Sequence, residues 1–406
     1  MDIWNVAREE EEYAVRCRRW LHEHAELSDH EEETVAFILE QLREAGIECV
    51  NVPQGGVMGF IDGAKPGKTI LLRADIDALP MQEDAWNAKR PKVCVSKNDG
   101  VAHTCGHDTH TAMLLTSARI LYAHREELDG RVVLYFERGE EHGNGDYYMM
   151  KYIQDNGIHI DGCWAMHNRI GVPTGKLAVS PGPIYGGSAG WGTVIVGENA
   201  LPCAVVILNN LNTARMRMVS PQDVCTFVGT KLQFGTDRVT QPNACQISGS
   251  CRYYDMDKAG RPMRDTIFET IKNTCLAYGC TTAKPLKKGP MSWPCINDAT
   301  CTQIAREAVG AIVGPENITV QEATMGHESY SILAAYYPSV MCALGAGNEE
   351  KGMTVGGHNP KHEPDEDCLK FGVAATVAYV KAFLEYKHHI PFQPFQGTVE
   401  EFLHPV

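Results

Sequence analysis

Residues 103–141 read HTCGHDTHTAMLLTSARILYAHREELDGRVVLYFERGEE. Three elements follow one another in this stretch. A loop sets Cys105 between His103 and His107. From His110 to about position 128 the apolar residues recur at helical spacing. Residues 132–136 are then an unbroken apolar run of strand length, with Glu140 and Glu141 just beyond its end. A helix feeding a buried strand is the repeating piece of an α/β layered domain, and such sheets place their ligands at the C-terminal ends of the strands.

The same alternation extends both ways. Helical spacing covers 9–27 and 31–45, and β-rich runs cover 49–52, 58–61 and 69–72, the last leading into RADIDALP. A helix is expected near 147–154, followed by a strand through 163–166 that ends at His167. The Gly-, Pro- and Ser-rich segment 182–192 reads as a hinge or linker. Beyond it come a strand (193–196), a helix (204–218), two strands (224–234, 244–254) and a helix (261–278). The α/β pattern resumes at 301–313, 330–335, 339–344 and 368–386. The expected architecture is therefore an α/β catalytic domain, 1–186 and 297–406, interrupted by an inserted α+β domain, 187–296.

The chain has 406 residues, too many for one ordinary core, which agrees with two domains. Its formal charge of -14 argues against a nucleic-acid partner, since phosphate binding needs a basic face, yet leaves room for a small anionic substrate held by local arginines. No apolar stretch reaches membrane-span length. The opening MDIWNVAREEEEYAVRCRRW is charged where a signal peptide is apolar, so the expected location is the cytoplasm. The 15 cysteines then read as reduced thiols, most of them small buried residues.

Cys105 and His107, two apart before a helix, can present a thiolate and an imidazole to one metal ion. The competing reading is a helix start capped by Asp108 and flanked by surface histidines. Glu140 and Glu141 sit among Gly139, Gly143 and Gly145, whose presence implies tight backbone geometry. One carboxylate can bind metal while its neighbour takes a proton from water; the plainer alternative is a solvated acidic loop. His167 and His358 complete a Cys/His/Glu donor set suited to Zn, Mn, Co or Fe rather than Ca or Mg.

RADIDALPMQE (73–83), HTCGHDTHTAML (103–114), FERGEE (136–141), the strand ending in His167, GHESYS (326–331) and GGHNPKHEPDED (356–367) occur in this order. Together they resemble the M20 metallopeptidase and amidohydrolase family, in the subgroup of indole-acetyl-amino-acid, hippurate and N-acyl-amino-acid hydrolases. The resemblance spans nearly the whole chain. It implies a catalytic α/β domain with a lid that also forms a homodimer or higher homo-oligomer. Cys105, His107, Glu141, His167 and His358 match the ligands of one or two divalent ions, with manganese favoured and zinc or cobalt as alternatives. Glu140 matches the general base. Asn243 and Arg252 match lid residues that hold a substrate carboxylate, and Asp75 and Asp77 fall where carboxylates orient the ligands.

The departures bear on substrate. FERGEE replaces FQPAEE, and Ser329 stands where an acidic residue is expected. The lid stretch that carries an oxyanion-supporting histidine in the family reads VGENALPCA (196–204) here, with Leu201 in the histidine's place. The reading that follows is hydrolytic deamination of an activated aromatic amine of the 5-nitroanthranilate type. A conventional N-acyl-amino-acid amidohydrolase is the alternative, and a metal-binding protein without turnover is the alternative of another class.

Overall fold

The computed structural model describes residues 1–235 and 242–404; positions 236–241 and 405–406, which the expected domains include, lie outside the described residues. The chain divides into two compact units. The first comprises Met1–Gly182, Ile296–Glu322 and Ile332–Phe395.

Its centre is a sheet of eight strands among the described residues, with four long parallel strands side by side in the order Asp129–Glu137, Lys65–Asp75, Gly162–Pro173 and Ser339–Gly347. Gly56–Asp62 and Glu48–Val52 extend it antiparallel on one side. Parallel strands buried on both faces need apolar side chains in both directions. Accordingly Ile70, Leu71 and Leu72, and Val132 to Phe136, are all buried. The helices His107–Ala123 and Cys368–Glu385 cover the sheet and are buried nearly all round. Glu11–Glu23 shows the one-sided pattern of an outer helix, with Tyr13, Ala14, Cys17 and Leu21 facing inward.

The second unit holds Pro183–Cys295, Ala323–Ser331 and the segment from Gln396. It is an antiparallel sheet, centred on Gly187–Val196, Ala244–Tyr253 and Cys225–Gln233, with its own apolar core against helices Ala200–Met218 and Arg261–Ala277. Most expected elements of both units recur within a few residues. Two expectations need correction. The segment 182–192 holds the passage between the two units, at Gly182 and Pro183, and is otherwise mostly strand where a turn-rich linker was expected, Gly182–Tyr185 and then the start of Gly187–Val196. Gly187 is there for close approach, since a Cβ on it would lie 2.5 Å from the Ser292 carbonyl oxygen. The second unit also takes in residues beyond 187–296. Residues 323–331 join it because Thr324 pairs with Tyr185, and the C-terminal segment joins because the Trp293 indole donates to the Phe402 carbonyl at 3.1 Å. No helix among the described residues is long and apolar enough to cross a membrane.

Candidate metal centre

All five expected ligands lie in the first unit. The loop before the helix His107–Ala123 turns at Gly106, whose φ is 92°. A Cβ there would sit 2.2 Å from Asn168 Nδ2, so only glycine fits the turn that presents Cys105 and His107 to the same space. Gly106→Ala is expected to lower stability by roughly 1–3 kcal/mol and to weaken divalent-metal affinity. Thermal unfolding and a metal titration of the variant check both.

Cys105 Sγ and His167 Nε2 are 3.6 Å apart. Two ligands at thiolate and imidazole bond lengths around a tetrahedral ion lie about 3.5 Å apart. His167 Nδ1 donates to the Asn168 carbonyl at 2.8 Å, which turns the Nε2 lone pair towards Cys105. The His167 strand does not end at the histidine, as the sequence suggested, but runs on to Pro173.

Across the site, Glu141 Oε1 is 3.1 Å from His358 Nε2 and 3.9 Å from His107 Nε2. His358 has a left-handed backbone, φ 58°, and its N–H donates to the Thr104 carbonyl at 2.8 Å, fastening its loop beside Cys105. The donors form overlapping triplets, Cys105/His107/His167, Cys105/Glu141/His358 and His107/Glu140/Glu141, with ligand atoms within 4.8 Å of one another in each. Glu140 therefore lies beside the ligands without being needed in either of the Cys105 triplets.

Asp77 fixes both halves of this arrangement. Its Oδ1 accepts from His107 Nδ1 at 3.0 Å, and its Oδ2 accepts from the Glu141 backbone N–H at 3.0 Å and from Ser28 at 2.6 Å. Asp75 lies 3.6 Å from His107 Nε2 and accepts from His110 Nδ1 at 2.6 Å and from Arg73 at 2.7 Å. Burial opposes charge on both aspartates, but Arg73 and the histidines hold Asp75 well below the usual carboxylate range, and His107 and Ser28 hold Asp77 low as well.

The electrostatics favour a cation. Burial pushes the Cys105 thiol up to about 12. His107 is raised well above an ordinary histidine although burial opposes it, chiefly by Asp75 and Cys105. Carboxylates that hold a proton this firmly also favour a divalent ion, which reverses the thiol's preference and ionises it. His107 Nε2 and Glu141 Oε1 are buried atoms with no hydrogen-bond partner, as ligand atoms are expected to be. The residues fit the ion.

The capped-helix alternative fails here. Gly106 occupies the cap without a side-chain bond, while Asp108 lies inside the helix, buried, 2.8 Å from both Arg18 Nε and His22 Nδ1. His107 and His110 are buried, not surface, residues. Sequence reasoning missed His110, Asn168, Arg73, Glu137 and His22 as supports. His107 and His110 are three apart on one helix, and that spacing already placed them on one face.

In the second unit, Asn243 and Arg252 flank opposite ends of the strand Ala244–Tyr253. Nine steps of extended chain separate them by roughly 30 Å. Within one chain a small carboxylate held by one of these side chains is therefore out of reach of the other.

A family model described as peptidase family M20/M25/M40 matches residues 71–382. The chain belongs to this family. It is 30% identical over 387 residues to thermostable carboxypeptidase 1 of Saccharolobus solfataricus, covering 91% of this chain and 95% of that one. It is 30% identical to the IAA-amino acid hydrolase ILR1-like 6 of Arabidopsis thaliana, covering 92% of this chain and 80% of the relative. The crystal structure of the Bacillus subtilis YXEP protein, a dinuclear metal binding peptidase of the M20 family, superposes with a TM-score of 0.80 at 28% identity, covering 93% of this chain and 99% of that one. This M20 chain is a metal-dependent hydrolase of C–N bonds, and its donor cluster is suited to a divalent ion.

Proposed function

We propose that the enzyme hydrolyses the C–N bond of an activated aromatic amine, of the 5-nitroanthranilate type, releasing ammonia. The observation that carries this reading is Leu201. It takes the lid position of an oxyanion-supporting histidine, and it lies in the helix Ala200–Met218, packed partly buried against the apolar core of its unit. A leucine donates nothing. Amide hydrolysis builds charge on a carbonyl oxygen, and losing one donor to it costs about 3–4 kcal/mol, roughly 10²–10³ in rate. A ring with a nitro group para to the attacked carbon carries the charge itself.

A divalent ion held by Cys105, His107, Glu141, His167 and His358 supplies Lewis acidity that brings water ionisation towards neutral pH; manganese is the ion we favour. Glu140 takes the proton of the attacking water as oxygen bonds to the amine-bearing carbon. It then returns a proton to the nitrogen, so that the C–N bond breaks and ammonia leaves. The product is the corresponding 2-hydroxybenzoate. Asp77 keeps His107 and Glu141 oriented throughout. We also favour a homo-oligomer, because the outer strand Cys225–Gln233 bears exposed Val228 and Leu232 on an open sheet edge.

The names of the relatives favour a second reading, an N-acyl-amino-acid amidohydrolase in which another donor replaces the lid histidine. Measuring kcat/KM for 5-nitroanthranilate and for hippurate separates the two. The aromatic amine is expected to be the better substrate by at least about 10², in line with the missing donor, with ammonia released in proportion. Anthranilate, lacking the nitro group, is expected to be inert. A higher kcat/KM for hippurate ends the aromatic-amine reading.

A further inference from the structure

The strand Ala244–Tyr253 turns Cys245, Ile247, Cys251 and Tyr253 into the core of the second unit. Side chains alternate along a strand, so Arg252 projects from the opposite face. Its Nη1 is withdrawn from solvent and has no hydrogen-bond partner among the described residues. A guanidinium kept partly dry and unpaired is costly unless an anion joins it.

The sequence puts an unexpected residue beside it. Arg252 is the cross-strand partner of Ser188. Two residues before Ser188, the Gly186 N–H donates to the carbonyls of Thr324 and Gly326, at 2.9 and 3.1 Å, and Tyr185 bridges to Thr324. These bonds lay residues 324–326 against the end of the sheet that carries Arg252 and deliver His327 to it. Protein packed around the His327 ring lowers its pKa below the usual histidine value, and the Arg252 guanidinium lowers it further. A neutral imidazole retains one N–H to donate. The residue is exposed, so a ligand can reach it.

We propose that the His327 ring N–H and the Arg252 guanidinium, side by side in the second unit, form a binding pair for the carboxylate of a small aryl carboxylate. Arg252 supplies the charge and one set of donors; His327 supplies a second direction of approach and selects for an acidic group in that place. The identity of the substrate rests on the aromatic-amine reading above, whereas the pairing of His327 with Arg252 does not.

The test is titration calorimetry of the metal-loaded enzyme with 2-hydroxy-5-nitrobenzoate and with 4-nitrophenol, which lacks the carboxylate. A hydrogen bond to a charged group is worth about a factor of ten or more in affinity. His327→Ser is expected to weaken 2-hydroxy-5-nitrobenzoate by about that factor and to leave 4-nitrophenol unmoved. His327→Gln or His327→Asn, which keep an amide N–H, are expected to recover part of the loss. In an Arg252→Met background the effect of His327→Ser is expected to shrink, because both side chains serve one anion. Circular dichroism and metal content confirm that the variants are folded and loaded. If His327→Ser binds 2-hydroxy-5-nitrobenzoate as the parent does, or weakens 4-nitrophenol equally, the assignment is overturned while the aromatic-amine reading stands. If the parent enzyme neither binds nor turns over the nitro compounds, that reading fails instead. The same variants titrated with hippurate then decide: tenfold weaker binding supports the assignment, and unchanged binding overturns it.

Discussion

Replacing Glu140 by glutamine is expected to lower kcat by about 10²–10⁴ and to leave both the fold and metal binding in place. The amide has nearly the same shape but cannot accept a proton, so only the proton transfer is lost. Glu140 stands with His107 and Glu141 in one cluster, while Cys105/His107/His167 and Cys105/Glu141/His358 are complete without it. Glu141→Gln therefore behaves differently. Its Oε1 lies 3.1 Å from His358 Nε2 and 3.9 Å from His107 Nε2, so its loss removes a ligand and metal content falls with activity. Steady-state kinetics together with metal content of the two purified variants check the pair. A Glu140→Gln enzyme of near-parental kcat reverses the assignment of base and ligand.

Chelation is expected to abolish turnover, and divalent metal to restore it. Cys105→Ser and His107→Ala each raise the metal concentration needed for half-maximal activity by at least about tenfold, the lower end of what a disturbed ligand shell costs. Cys105 takes part in two of the donor triplets, so its replacement weakens both. Serine is a particularly poor substitute: the thiol, although pushed up to about 12 by burial, ionises readily on a cation, whereas a hydroxyl does not. Metal analysis after dialysis against chelator, followed by titration with manganese, zinc and cobalt, measures both the loss and the preferred ion. Full activity in metal-free protein contradicts the whole account of the site.

The alternation of apolar runs and helical spacing was enough to establish an α/β layered domain with a second unit inserted after it. The reason is that buried parallel strands must be apolar on both faces, and residues 70–72 and 132–136 are. The candidate ligand cluster was legible for a similar reason: Cys105, His107 and Glu141 lie in or beside tight turns whose glycines, above all Gly106, admit no side chain. What lay beyond the sequence was everything that depends on distance between remote segments. That Asp77 holds His107 and the Glu141 N–H together, separated by 64 positions in the second case, follows only from the parallel pairing of neighbouring strands. Arg18, His22 and Asp108 are likewise unrelated in the sequence until helix packing buries them as one charged cluster. Asn243 and Arg252 show the converse. Although close in the chain, they are held apart by an extended strand, because a β-strand advances more than twice as far per residue as a helix. The glycines of 182–192 are ambiguous for the same reason, since Gly marks both a linker and a strand approached too closely for any side chain: Gly182, where the chain passes from one unit to the other, has open space around it, whereas Gly187 lies against the Ser292 backbone.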